Sequence, residues 1–251
     1  MKWIVEQSTE AFNRRSAQEI TEQIGRKADS RISFATGSTT KGIYRELAAL
    51  YRQGGLDFSR VEAFVLDEYQ GASQANPASC LARLTAQLFD QVNMDASRIH
   101  FFDSMAADLH QVAEAYERNI RALGGIDLQV LGLGANGHIG FNEPGTPFHA
   151  VTRVVDVGEE TIEARADMFG SRELVPRQGI TLGIKTIMQS RKIFLFANGE
   201  HKATMVEQAL FGPVTPDIPA SVLQLHPDLT VVLDRDAAGK VRDRLPEDAV
   251  E

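Results

Sequence analysis

The sequence predicts an α/β fold, with a mainly parallel sheet flanked by helices, in a single domain over residues 1–251. Three observations carry this. Short apolar runs of strand length alternate with longer segments whose apolar residues recur at helical spacing. Several runs end in turn-forming Gly, Ser, Thr or Asp rather than in hairpin signals. The chain, at 251 residues, is long enough for one large core.

Trp3-Ile4-Val5 reads as a first strand. From Thr9 to about Lys27, Ala11, Phe12, Ile20 and Ile24 fall near one helical face. Ile32 to Ala35 is a strand, followed by the turn Thr36-Gly37-Ser38-Thr39-Thr40 and a helix from about Lys41 to Arg52. Val61 to Leu66 is a third strand, with Asp67-Glu68-Tyr69 at its end. Asn76-Pro77 starts a helix to about Phe89. Ile99 to Phe102 is a strand, and Ala106 to Leu123 is a helix closed by Gly124-Gly125. Leu128, Val130 and Leu131 mark the central strand. Thr152 to Val157 reads as a strand, Glu159 to Phe169 as a charged helix, and Ile180 to Met188 as a helix. Ile193 to Ala197 is a strand, Glu200 to Leu210 a helix, and Thr230 to Leu233 the closing strand. The charged tail from Asp234 to Glu251 is expected to be peripheral.

Composition excludes several functions. A net charge of −8 and a pI near 5.3 argue against nucleic acid, which needs a basic face. No apolar run approaches the ~20 residues of a membrane span. The lone Cys80 rules out an internal disulfide or a cysteine-based zinc site and reads as a small buried hydrophobe. Met1 to Glu6 is too short and too soon acidic for a signal peptide, so the reading is cytoplasmic.

Chemistry is expected after the central strand. Gly132, Gly134 and Gly137 open the backbone, and Asn136, His138, Asn142 and Glu143 enter that opening. His138 and Glu143, five positions apart, suit a proton-transfer pair or a buried polar pair that stabilises the loop. Gly132-x-Gly134-x-x-Gly137 also matches a dinucleotide fingerprint, with Asp156 downstream. That fingerprint needs a helix next, and Gly140, Pro144 and Gly145 oppose one. The turn Thr36–Thr40 suits either a phosphate on a helix N-terminus or plain capping. Asp67 is a candidate base or a capping carboxylate. Lys202, in a first helical turn, either snorkels to solvent or answers a bound anion.

Four collinear stretches then agree: Phe34-Ala-Thr-Gly-Ser-Thr-Thr40, Leu66-Asp-Glu-Tyr-Gln-Gly71, Gly132 to Gly145 with its Gly-His-Ile-Gly-Phe-Asn-Glu-Pro block, and Pro219 to Pro227. Together they resemble the glucosamine-6-phosphate deaminase (isomerase) family from about Ile4 to Asp234. The resemblance implies a modified Rossmann-like sheet, no cofactor and no essential metal. It implies a small-molecule sugar phosphate as partner, with no nucleic acid or membrane, and a possible homo-oligomer. The implied reaction is isomerising, hydrolytic deamination: glucosamine 6-phosphate and water give fructose 6-phosphate and ammonia.

The same resemblance assigns His138 to ring opening, oriented by Glu143, and Asp67 to the proton shuttle between C2 and C1. Asn136, an amide, can only hydrogen-bond and orient. Gly37, Ser38, Thr39 and Lys202 are implied to hold the phosphate. One departure concerns the mobile segment, where many members carry a phosphate-clamping Arg and this chain has Ala166-Asp167-Met168-Phe169. Arg165 or Arg172 would have to reach in instead. Arg153 fits part of an allosteric cluster seen in some members, but Val155 and Asp156 do not, so no such regulation is expected. Competing readings are a galactosamine-6-phosphate deaminase, a 6-phosphogluconolactonase, which usually has Asp-Glu-Arg where Asp67-Glu68-Tyr69 stands here, and a non-catalytic sugar-phosphate sensor.

Overall fold

The fold is taken from a computed structural model that describes residues 1–246 and 249. Among the described residues, ten strands form two sheets. The larger comprises β1 (Lys2–Glu6), β2 (Arg31–Phe34), β3 (Glu62–Val65), β5 (Ile99–His100), β6 (Leu128–Gly132), β9 (Lys192–Ala197) and β10 (Leu229–Asp234). The smaller comprises β4 (Asp67–Tyr69), β7 (Arg153–Asp156) and β8 (Gln178–Thr181). The larger sheet is parallel throughout, in the order β1-β10-β9-β6-β2-β3-β5. The smaller, β4-β8-β7, is antiparallel.

The helices are α1 (Thr9–Arg26), α2 (Ser38–Arg52), α3 (Cys80–Gln87), α4 (Leu109–Ala122), α5 (Glu159–Phe169), α6 (Ile184–Met188) and α7 (Ala203–Phe211). They cover both faces of the large sheet, which is why its central strands are apolar runs without alternation. Val130, Phe194, Phe196 and Val232 point into one core, shared with Phe12, Ile20, Ile43 and Leu47 of α1 and α2. Leu131, Leu195, Val231 and Leu233 point into the other, shared with Tyr116 and Ile120 of α4 and Val206 of α7.

The elements appear in the expected order, with four corrections. Asp67-Glu68-Tyr69, expected only as the end of the third strand, is a strand of its own, β4, in the other sheet. The chain leaves the large sheet at Leu66, whose N–H still donates to Phe34 and whose carbonyl accepts from Leu182, and Asp67 begins the second sheet. Residues 180–181 are strand rather than helix. Ile180 is held between Glu68 and Val154 on two neighbouring strands, and this cross-chain pairing outweighs local propensity. The helix resumes only after Gly183, which fits so tightly against the carbonyls of Ala150 and Val151 that a Cβ would lie 2.2 Å from both oxygens. The α3 helix starts at Cys80 rather than Asn76. Asn76 instead closes a turn onto the Ala78 N–H, Ser79 caps by accepting from Ala82, and the buried Glu68 carboxylate accepts from the N–H groups of Cys80 and Leu81. Finally, the segment after β10 is not peripheral. Asp234, Ala237, Ala238 and Val241 are buried, the last three in the core beside α7. The alternation of charge hid those three small apolar residues. The end of the expected tail, at 247, 248, 250 and 251, lies outside the described residues.

Candidate active site

The carboxyl ends of β2, β6 and β9 open toward one cavity of about 310 Å3, the usual place for a ligand on an open parallel sheet. Its wall includes Asp67, His138, Gly37, Ser38, Thr39 and Lys202. Asn136 and Glu143 stand behind His138. Asp67 and His138 therefore face one space, as does the turn at the start of α2, whereas Glu143, the expected proton-transfer partner of His138, does not line it.

The loop after β6 is not a helix, so the helix N-terminus that the dinucleotide fingerprint requires is missing. The glycines serve close approach instead. Gly134 packs under the His138 ring, where a Cβ would lie 2.4 Å from it. Gly137 takes φ +85 against Ile218 and Met205, and its carbonyl accepts from Ala220. The Pro219–Leu225 3-10 helix thus backs the loop from behind. Asn142 is fully buried and donates to the carbonyls of Ile139 and Leu182.

His138 does not meet Glu143 directly. Its Nδ1 lies 3.6 Å from Glu143 Oε2, beyond hydrogen-bond range. Asn136 bridges the gap. Its amide nitrogen donates to Glu143 Oε2 at 2.9 Å, and its oxygen lies 2.7 Å from His138 Nδ1. An amide oxygen only accepts, so Nδ1 carries the proton and Nε2 keeps its lone pair. Burial pushes the His138 pKa down, against the Glu143 charge that raises it; Lys202 and Arg165 add to the lowering. The imidazole is thus held neutral, with Nε2 the basic atom.

Asp67 is buried, and desolvation raises its pKa to about 6; a hydrogen bond from Cys80 and the charges of Arg165 and Arg83 oppose the rise. Its neighbour Gly140 sits at φ +58, where a Cβ would meet Thr181 Oγ1 at 2.9 Å and Asp67 Oδ2 at 3.5 Å. Glu68, despite its place beside Asp67, points away and caps α3.

Four cationic positions separate clearly. Lys202 lies on the 3-10 turn Glu200–Lys202 that precedes α7, not in the helix itself. That turn hangs on Gly199, whose N–H donates to the Asp234 carboxylate. Burial, then Arg165, lowers the Lys202 pKa. Arg165 of α5 lines the cavity, whereas Arg172 pairs with Glu159 and Glu163 on the surface. Asp167 is exposed and outside the cavity wall. Arg153 donates to Asn142 at 2.9 Å and so ties β7 to the loop.

Sequence reasoning missed Cys80, Thr161 and the bridging geometry of Asn136. Thr161 of α5 donates to Glu143 Oε1 at 2.8 Å, and Gly158 packs on the same carboxylate. No local pattern announces such contacts, because each joins segments far apart in the chain.

The family model for glucosamine-6-phosphate isomerases/6-phosphogluconolactonase matches residues 5–232. The chain belongs to this family. Among its members, a Clostridium botulinum (strain Kyoto / Type A2) glucosamine-6-phosphate deaminase is 43% identical over 241 residues, covering 96% of this chain and 99% of the relative. Glucosamine-6-phosphate deaminase 2 of Bacillus subtilis (strain 168) is 46% identical over 244 residues, covering 96% and 98%. A solved structure of a monomeric glucosamine-6-phosphate deaminase superposes with a TM-score of 0.93 at 39% identity, over 96% of this chain and 100% of that one. A 6-phosphogluconolactonase from Trypanosoma brucei gives a TM-score of 0.76 at 20% identity, over 96% of this chain and 99% of that one, a likeness of fold. Among the described residues, no helix is long and apolar enough to cross a membrane, and no group of three or more His, Cys, Asp or Glu is placed to hold a metal.

Proposed function

We propose that this chain is an isomerising deaminase that converts glucosamine 6-phosphate and water to fructose 6-phosphate and ammonia. The observation that carries the reading is the shared cavity. A buried carboxylate with pKa near 6 and an imidazole with a fixed tautomer face the same space, beside a helix N-terminus and two half-buried cations, Arg165 and Lys202. A lactonase needs no shuttle between adjacent carbons. The names of the relatives support a deaminase acting on the gluco sugar.

Each role rests on position in the cavity. The His138 Nε2 takes the proton from O1 of the closed sugar and delivers it to O5, opening the ring. The imidazolium formed in passing is stabilised by Glu143 through Asn136. Asp67 abstracts the C2 proton of the open-chain ammonium aldehyde; an ammonium proton passes to O1 to give the enolamine, and return of the abstracted proton to C1 leaves a protonated imine at C2. Water adds at C2 and ammonia departs, leaving the C2 ketone. This consumption of water is the hydrolytic part of the proposal. Backbone amides of Ser38 and Thr39, in the first turn of α2 after the extended Gly37, meet the phosphate. Lys202 neutralises it, and Arg165 takes the place of the clamp absent at position 167.

A charged sugar phosphate as substrate supports a cytoplasmic setting, to be tested by fractionation, and a role in amino-sugar use. The relative described as monomeric supports a monomer, read by sedimentation. A coupled ammonia-release assay with glucosamine, galactosamine and mannosamine 6-phosphates tests the reaction. Turnover of the gluco substrate is expected; release from the galacto isomer alone moves the substrate, and no release from any leaves a sensor. Asp67→Asn is expected to lose at least about a thousandfold in kcat while binding of a phosphorylated sugar stays within a few-fold. Near-native turnover in that variant removes Asp67 from the shuttle.

A further inference from the structure

Cys80 occupies the first position of α3, is buried, and lines the cavity next to Asp67. Its Sγ lies 3.3 Å from Asp67 Oδ1. On its other side, the Thr36 hydroxyl donates to Sγ at 3.4 Å. A hydroxyl that donates to the sulfur leaves the thiol proton for the carboxylate, so the direction is set: Thr36 O–H to Cys80 S–H to Asp67. Burial pushes the Cys80 thiol up, and the Asp67 and Glu68 charges push it further, so the group stays protonated and remains a donor. Among the described residues no other side chain donates a hydrogen bond to Asp67.

We propose that the Cys80 thiol is a positioning residue for the reaction, holding the Asp67 carboxylate in the orientation from which it reaches the substrate carbons and setting the strength of that base. The inference rests on the reading of Asp67 as proton shuttle. A thiol is a weak donor. It fixes one oxygen of the carboxylate while lowering its basicity less than a stronger donor, a backbone N–H or an Arg, would. Glu68 differs in its partners rather than in the direction of its shift: burial raises its pKa to about 6 as well, against the backbone hydrogen bonds that lower it. It accepts three backbone N–H bonds, from Tyr69, Cys80 and Leu81, and is thereby committed to capping. The free oxygen of Asp67 faces Gly140, where the absent side chain leaves room.

Other groups also face this carboxylate and contribute to its titration: Arg83 on α3, Arg165 on α5, Glu68 and Tyr69 on β4, and Tyr44 on α2. His138 and Lys202 share the cavity wall. None of these is altered by substitution at position 80, so the thiol's effect can be isolated.

Two measurements test the proposal. In the first, Cys80→Ala and Cys80→Ser are compared with the parent in pH profiles of kcat and kcat/KM. Loss of the donor destabilises the ionised carboxylate. The acid limb of Cys80→Ala should therefore move up by roughly half a pH unit, with plateau kcat down about threefold and KM within about twofold. Cys80→Ser, which restores a donor, should return the limb toward the parent. A packing role alone predicts a lower Tm with an unmoved limb. In the second, the S–H stretch of the parent is recorded by infrared spectroscopy across the same pH range. The chain has one cysteine, so the band belongs to Cys80. It should sit at lower frequency while Asp67 is ionised and rise as Asp67 is protonated or replaced in Asp67→Asn. A limb that stays put or moves down in folded Cys80→Ala, or a band indifferent to Asp67, overturns the proposal. The band reports the contact whether or not Asp67 is the base, and turnover in Asp67→Asn reports the base without reference to Cys80. The two failures are therefore distinct.

Discussion

At the scale of single residues, the site sets two titrating groups against each other by burial. Asp67 has its pKa raised from 3.8 to about 6 by desolvation, so the folded protein holds its proton more tightly than the unfolded chain does. The sign follows by linkage. The penalty is absent below the unfolded value, grows as pH rises between the two values, and is complete above pH 6. Asp67→Asn should therefore raise stability at pH 8 by up to about 3 kcal/mol, with the gain fading toward pH 4 in denaturant titrations. An inactive but stabler variant is the expected signature of a strained functional group. In the parent, kcat/KM should fall as pH drops through about 6, because the base becomes protonated. Asn136 offers a second residue-scale test. Asn136→Asp places a carboxylate 2.7 Å from His138 Nδ1, which favours the imidazolium. The His138 pKa measured by NMR should rise, and ring opening should slow as Nε2 becomes protonated. An unchanged histidine titration would show that the amide does not govern the ring.

At the scale of elements, α5 joins the site to the second sheet. It presents Arg165 to the cavity, Thr161 to Glu143, and Phe169 to Tyr69, whose rings meet edge-on at 5.1 Å. Gly158 precedes it so closely that a Cβ would stand 2.6 Å from the Glu143 carboxylate carbon. Gly158→Ala should displace either the helix start or Glu143, and lower kcat by about tenfold while Tm falls little. Arg165→Ala should raise KM about tenfold or more through lost phosphate attraction, with Asp167→Ala near the parent in both constants. The reverse ranking would return the clamp to position 167. The corrected elements belong here too. The β8 strand was illegible because Ile180 to Met188 carries a helical pattern locally, and only pairing with β4 and β7 makes its first residues extended. Likewise, the start of α3 depends on a carboxylate twelve positions upstream of Cys80.

At the scale of the molecule, the parallel sheet is pinned at its amino edge by one acid. Asp127 enters β6 and accepts from Arg31 at the start of β2, from Arg191 ahead of β9, and from Lys27 behind α1. Burial alone would raise its pKa, but the hydrogen bonds and charge of Arg31, helped by Lys27, outweigh this and hold it at about 2. Here the folded value lies below the unfolded one, so the stability is present above pH 4 and lost as pH falls through 2. Solvent reaches Arg191 and Lys27 and screens part of the attraction. Asp127→Asn should therefore cost about 1–2 kcal/mol at neutral pH and little below pH 2, without altering the cavity. An equal loss at both pH values would mean packing rather than charge.

The sequence by itself determined the α/β class, the order of most elements and which segments bring the proposed catalytic residues. Strand-length apolar runs, helical periodicity and the Gly-rich loop around His138 are properties of neighbouring residues, and local physics acts on neighbours. Tertiary structure alone decided that Asn136 stands between His138 and Glu143, that Arg165 faces the cavity while Arg172 does not, that Cys80 meets Asp67, and that the last strand is followed by a buried return. Each of these depends on atoms brought within a few ångströms by the packing of distant segments. Nothing in a linear pattern encodes which of several nearby charges will be turned inward.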